Sequence, residues 1–236
     1  PKRVVEAGQE EKIVDDCDLI STLLHLLPHL LSAVHTSMSP AEIADRNRKV
    51  VESVLGFCVV RACSKVPGAG IGVVMARGRV KKGTLVALYP GTLYHPHEPI
   101  LLPSIRNAFI LRCLDGIHVD GNDRRMSKMI YKSCVRRDSV WPHQAGDLTW
   151  LTEHPVMPLN IGQYVNNHSP GFPANVTYQE LDVPLSCILP EQRCFLPNIW
   201  YSGTSQRDHL RLVALVSTTD IEQGDEVFST YYTVIH

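Results

Sequence analysis

Beyond Gly56 the chain is built of short runs of Val, Ile, Leu, Phe and Tyr, broken again and again by glycine and proline. Runs of that length and composition, punctuated in that way, read as strands joined by tight turns. The body is therefore expected to be mostly β, a domain of many short strands. The clearest case is "FILRCLDGIHVDG". Phe109, Leu111 and Cys113 alternate, Ile117 and Val119 return, and Asp115-Gly116 suits a type I′ hairpin turn. "GVVMARGRVKKGTLVALYPG" reads as two strands separated by Lys81-Lys82-Gly83, and "RLVALVSTTDIEQGDEVFSTYY" as strand, turn at Gln223-Gly224, and strand.

The first 55 residues follow a different period. Residues 1 to 16 are polar and loose in character. Leu19, Leu23, Leu26, Leu27, Leu30, Leu31 and Val34 then recur at helical spacing, and Pro28 must kink or split that segment because it has no N–H to donate. A second helix opens at Ser39 as N-cap, with Pro40 in the first helical position and Glu42 completing a capping box. Ile43, Val50, Val51, Val54 and Leu55 mark its apolar face, and Gly56 stops it. Residues 1–55 thus form an N-terminal helical segment. The basic stretch 122–158, with Trp141 and Trp150, reads as a solvated face on a surface insertion; a binding patch is the other reading.

Composition sets the outer limits. Of 236 residues, 44% are apolar and 20% charged, and the net charge is −1. That is ordinary for a globular chain, and without a global basic field nucleic acid is not the expected partner. No apolar run reaches the ~20 residues that span a bilayer, so no membrane is expected. The chain begins at Pro1, which leaves upstream residues or a removed targeting segment open. The seven cysteines have no CxxC spacing, are odd in number and are scattered. Buried reduced thiols in an intracellular protein, nuclear or cytoplasmic, are the simplest reading.

Several chemistries can be set aside. His25 and His29 sit four apart but flank Pro28, with no Cys or carboxylate to complete a metal set, and His95-Pro96-His97 is weaker, so no metal is expected. Gly68, Gly70 and Gly72 do not continue into GxGxxG, since Val73 and Met75 follow. There is no GxSxG, and Asp225-Glu226 after Gly224 reads as a charged turn. What needs an explanation is "GQYVNNHSPGFPANVT", which gathers Asn166, Asn167, His168 and Asn175 around one turn. They could cap the turn, bind metal, hold a small polar ligand or carry sugar. The sequons at Asn167 and Asn175 count only in the secretory pathway, and Pro170 follows the first.

Three segments in order resemble the SET domain, the fold of most protein-lysine methyltransferases. The first holds Gly70-Ile71-Gly72, Lys82-Gly83 and Tyr89-Pro90-Gly91, similar to the family's GxG strand start and Tyr-x-Gly. The second is "GQYVNNHSPGFPAN" against "RFINHSCxPN", and the third is "GDEVFSTY" against "GEELTFDY". Without gaps, Gln163-Tyr164-Val165-Asn166 matches "RFIN" and Asn167 stands at the family histidine. One inserted residue would instead align Asn167-His168-Ser169 with "NHS". The hairpin ending at Asp120 sits where the family has a strand ending in Asp.

The resemblance covers roughly residues 56–236, with a long internal insertion at about 96–158 and no zinc-binding tail after Tyr231. It implies a β-clip of short curved sheets with a knot-like C-terminal crossing. It also implies S-adenosyl-L-methionine as cofactor and transfer of a methyl group to a protein or peptide lysine, histone or non-histone. On it Tyr231 is the catalytic residue. Gly70, Ile71, Gly72, Tyr164, Asn166, Asn167, His168 and Tyr231 are the cofactor-binding set, and Tyr89 and Tyr232 line a substrate channel. A catalytically weak SET module that binds a peptide or partner is the alternative.

Overall fold

The structure is a computed structural model that describes residues 12–32, 37–203 and 208–230. Tyr231 and Tyr232 lie outside the described residues, as does Val34.

Helix α1 runs Asp16–Leu26 and buries Leu19, Leu23 and Leu26. Pro28 splits the segment as its missing N–H requires: the α-helix gives way to a 3-10 turn over Leu27–His29. Helix α2, Pro40–Leu55, has the expected capping box, with Ser39 and Glu42 bonded reciprocally, and ends at Gly56 in the left-handed conformation at φ 81°. Both helices pack into the same hydrophobic core as the strands: Leu23, Leu26 and Val51 share one cluster with Val73, Leu88 and Leu215. Asn47, fully buried on α2, fastens the arrangement. Its Oδ1 accepts from Leu31 N, and its Nδ2 donates to Leu31 O and to Val156 O of the β body.

The eleven described strands are β1 Phe57–Cys63, β2 Ile71–Gly78, β3 Leu85–Leu88, β4 Gly91–Tyr94, β5 Ile110–Arg112, β6 His118–Asp120, β7 Asn166–Asn167, β8 Val176–Pro184, β9 Asn198–Trp200, β10 His209–Ser217 and β11 Glu226–Ser229. They form three small sheets in the orders β1-β2-β11-β7, β3-β10-β8 and β5-β6-β4-β9. Strand β10 is buried along nearly all its length because sheet neighbours flank it on both edges and core covers its faces.

Strand β11 is the topological key. It pairs antiparallel with β2 and parallel with β7. The loop from Asn166 to Asn175 bonds to it at both ends: Asn166 and Asn167 are in register with Phe228 and Ser229, and Asn175 N donates to Phe228 O. The Asn175 side chain adds two more bonds, from Nδ2 to Glu226 O and from Phe228 N to Oδ1. The last described strand is thus fastened by both ends of a loop formed some fifty residues earlier in the chain.

Two expectations need correction. Residues 110–120 do form a hairpin, but its turn is not type I′. The loop spans 113–117, with Arg112 opposite His118, and of its residues only Gly116 has positive φ. Asp115 instead turns the chain by accepting from Ile117 N, an Asx-type bond that makes a second positive φ unnecessary. The stretch 122–158 is also more than a solvated face. Helix α4, Arg125–Asp138, follows a short helix α3, Leu101–Ser104. It buries Tyr131, Cys134 and Val135 in a second small core with Trp150, Leu151 and Ile199. Trp141, by contrast, is exposed. All seven cysteines are free thiols, but only Cys58, Cys113, Cys134 and Cys194 are buried.

Candidate functional site

Three remote segments meet at one carboxylate. Glu226 opens β11 and is 3% exposed. It accepts from Ser64 Oγ at 2.7 Å, from Lys65 N at 2.6 Å and from Asn166 Nδ2 at 3.2 Å. Asn166 Nδ2 also donates to Ile71 O at 3.2 Å. The start of β2, the end of β1, β7 and β11 are thereby tied together. Three converging donors compensate the desolvation of the charge. The reading of Asp225-Glu226 as a charged turn holds for Asp225 only. No spacing betrays Glu226, because its partners come from residues 64, 65 and 166.

A cleft of about 2170 Å³ opens beside this hub. Gly70, Ile71, Tyr89, Gln163, Tyr164 and Asn166 lie on its wall, as does Thr230, the residue before Tyr231. Gly70 has φ +77°, and a Cβ there would meet nothing within 4 Å, so the backbone faces open space. The Tyr164 hydroxyl donates to Asp123 Oδ2 at 2.5 Å. Its ring takes Phe109 edge-on at 6.4 Å and carries the Arg61 guanidinium 5.2 Å from its centroid. Burial, reinforced by Asp123, pushes the Tyr164 phenol up to about 12, so it stays a donor at neutral pH. Tyr89 donates to Phe109 O at 2.9 Å and meets Tyr178 edge to face.

Gln163 is the residue that the sequence did not single out as a ligand. It is 4% exposed, lies on the cleft wall, and neither its Oε1 nor its Nε2 has a hydrogen-bond partner among the described residues. A buried primary amide in that state costs a few kcal/mol unless something polar meets it.

The other expected residues are placed as follows. Gly72 does not line the cleft; it makes room for Glu226. Asn167 and His168 are exposed and off the cleft wall, and His168 N donates to Ser229 O. Asn175 is consumed in clamping β11. Asn166 and Asn167 both pair with β11, but of the turn's asparagines only Asn166 lies on the cleft wall. Asp120, at the end of β6, is 1% exposed and accepts from Asn107 Nδ2 and Asn122 N.

Among the described residues one set of side chains has the spacing of metal ligands, Cys113, Asp115 and Glu180. Arg211 already occupies the position of a cation there. Its Nη2 is 2.9 Å from Asp115, its Nη1 3.2 Å from Glu180 and its Nε 2.8 Å from Asp182.

SET domain-containing protein 9 of Homo sapiens is 40% identical to this chain over 266 aligned residues, which take in 99% of the chain and 88% of the human protein. The chain belongs to the SET domain-containing protein 9 family. The Pongo abelii member is 48% identical over 188 residues, 79% of this chain and 68% of that protein. No family model matches the chain. Solved structures that resemble this SET-domain chain include ctPRC2 in an autoinhibited conformation bound to S-adenosylmethionine, at 15% identity and a TM-score of 0.40. An active polycomb repressive complex 2 in the basal state is similar at 16% identity and 0.42. Each match covers 78% of this chain, which spans only 16% of the matched one. No described helix is long and apolar enough to cross a membrane.

Proposed function

We propose that the protein is an S-adenosylmethionine-dependent methyltransferase acting on lysine side chains of a protein substrate. The observation that carries this reading is the convergence of Gly70-Ile71, Gln163 to Asn166, and Thr230 on one cleft, from segments about 60 to 160 residues apart in sequence. These are the three segments in which the SET resemblance resides, and family membership supports the same chemistry.

The residues present suit the cofactor. The open space at Gly70 admits a ligand against the backbone, and the unpartnered Gln163 amide offers one donor and one acceptor surface to a polar, nitrogen-rich molecule. Gly70, Ile71, Tyr164 and Asn166 would hold it together with Gln163. When bound, S-adenosylmethionine supplies the methyl group on its sulfonium centre. The protein's part is to hold a neutral lysine amine in line with it, since transfer by direct displacement needs position rather than a nucleophilic side chain. Free lysine has a pKa of about 10.4. The aromatic side chains of Tyr89, Tyr164 and Phe109 on the cleft wall would disfavour the ammonium form by limiting its hydration. The Tyr231 phenol, one residue beyond the cleft-lining Thr230, would orient the amine, with Tyr232 next in line.

Calorimetry with S-adenosylmethionine is the first test, followed by transfer from labelled cofactor to a lysine-peptide array. Tyr231→Phe should abolish transfer while leaving cofactor affinity within about threefold. Equal transfer by wild type and variant would remove Tyr231 from catalysis. Absence of cofactor binding would leave the binding-module reading in possession.

A further inference from the structure

Away from the cofactor end, the same cleft continues between α3 and the first turns of α4. The two are joined by Asn107, whose Nδ2 donates to Pro103 O at 2.9 Å and to Asp120 at 2.8 Å and reaches Ser127 at 3.4 Å. This face is apolar and open to solvent. Leu102 is 63% exposed, Ile105 62% and Met129 72%, with Met126 beside them. Helix α4 is two-faced: Tyr131, Cys134 and Val135 go to the small core, Met126 and Met129 face the cleft, and Ile130 borders both. Neighbouring exposed apolar groups of this kind mark a binding surface more often than bare solvent-facing surface.

The rim is cationic. Arg106, Arg112, Arg124 and Arg125 line the cleft and are exposed. Arg106, Arg112 and Arg125 pair with no carboxylate among the described residues; Arg124 has Asp123 at 3.6 Å. Of the acids on the cleft wall, Asp123 takes the Tyr164 hydroxyl and lies beside Arg124, and Glu180 takes Leu114 N and Arg211. Arg106 and Arg125 are also the two non-glycine residues of the described chain with positive φ, 51° and 50°. Backbone strain of this sort gathers at ligand-binding positions.

We propose that this face docks the substrate segment and selects lysines flanked by acidic and apolar residues. This rests on the methyltransferase reading for its substrate, and names the substrate class for that site. Three arginines without a carboxylate partner among the described residues, around exposed Leu, Ile and Met side chains, complement a peptide that offers Asp or Glu beside an aliphatic or aromatic anchor. They repel a lysine set among other cations, and the apolar floor favours peptide over a phosphate backbone.

The test measures binding separately from turnover. Fluorescent peptides with the target lysine replaced by norleucine, flanked by acidic, neutral or basic residues around one Leu, are titrated against the whole chain without cofactor. The acidic-flanked peptide should bind about tenfold tighter than the neutral one at low salt, and the gap should narrow as salt rises. The double variant Arg106→Asn/Arg125→Asn keeps a residue type that tolerates the left-handed backbone and should bring the preference below about threefold. Met129→Ser, at an exposed position, should weaken all three peptides alike. Equal binding of the three peptides, tighter binding of the basic one, or displacement of the acidic peptide by an equimolar single-stranded oligonucleotide would overturn the proposal. A preference for acidic flanks that persists without any methyl transfer upholds the docking face and removes the methyltransferase reading. Transfer without the preference does the reverse.

Discussion

Glu226 occupies the space that a side chain at position 72 would need: a Cβ on Gly72 would lie 2.1 Å from Glu226 Oε1 and 3.1 Å from Asn166 Nδ2. The absence of one methyl group therefore lets a buried carboxylate bind the start of β2 to β7 and β11, and so sets the end of the cleft where the cofactor is proposed to lie.

Gly72→Ala should displace that carboxylate from Asn166 and from the Ser64-Lys65 turn. Gly72 is not in the left-handed region, so the penalty is steric alone, about 1–3 kcal/mol, or roughly 3–10 °C in Tm. S-adenosylmethionine affinity measured by calorimetry should fall with it. An unchanged Tm would show that Glu226 can swing aside without loss.

Asn47→Ala should destabilise by about 2–4 kcal/mol, because it orphans the buried polar groups of Leu31 and Val156 together. Asn47→Asp should be no better, since a carboxylate oxygen would then face two carbonyls. Chemical denaturation of both variants checks the order. The same linkage predicts that deleting residues 1–55 exposes the shared core and yields aggregated protein, which size-exclusion chromatography would report.

Arg211→Met should cost about 2–4 kcal/mol at neutral pH, because Asp115, Glu180 and Asp182 are left facing one another without their cation. Burial already pushes the Glu180 carboxyl upward. The deficit relative to wild type should shrink between pH 7 and pH 5 as protons relieve the repulsion. Melting curves at the two pH values measure it.

Asp147 predicts a pH dependence of opposite sense to most carboxylates. It is fully buried and accepts from Thr149 N, Thr149 Oγ1 and Asn160 Nδ2, yet burial outweighs these bonds and pushes its carboxyl up to about 6. The folded state therefore holds a proton that the unfolded state, near 3.8, has released. Its contribution is fully present below the unfolded value and is lost as pH rises through the folded one, about 3 kcal/mol in all. Asp147→Asn removes that titration. The stability of wild type minus variant should fall between pH 4 and pH 6, and a flat difference would show that Asp147 is ionised throughout.

What could be read in advance was local. The Ser39-Glu42 capping box, the stop at Gly56, the break at Pro28 and the hairpin ending at Asp120 depend on φ preferences and hydrogen bonds within a few residues, which the chain carries in its own order. The turn type at Asp115-Gly116 was misread because one glycine there admits several turns, and the Asx bond to Ile117 selected among them. The second core under α4 was hidden because basic residues are interspersed with its apolar ones in sequence, while Ile199 comes from a distant strand.

The sequence alone determined a mostly β body behind a helical segment whose second helix is capped, and three motifs in a recognisable order. Only the tertiary structure decided which polar residues of those motifs face the cleft. Asn166 and Asn175 are nearly alike as sequence; one lies on the cleft wall and the other clamps β11. Glu226 looks like a turn residue and is a buried hub. The reason is physical: the cost of burying a polar group is settled by its partners, and here those partners lie up to about 160 residues away.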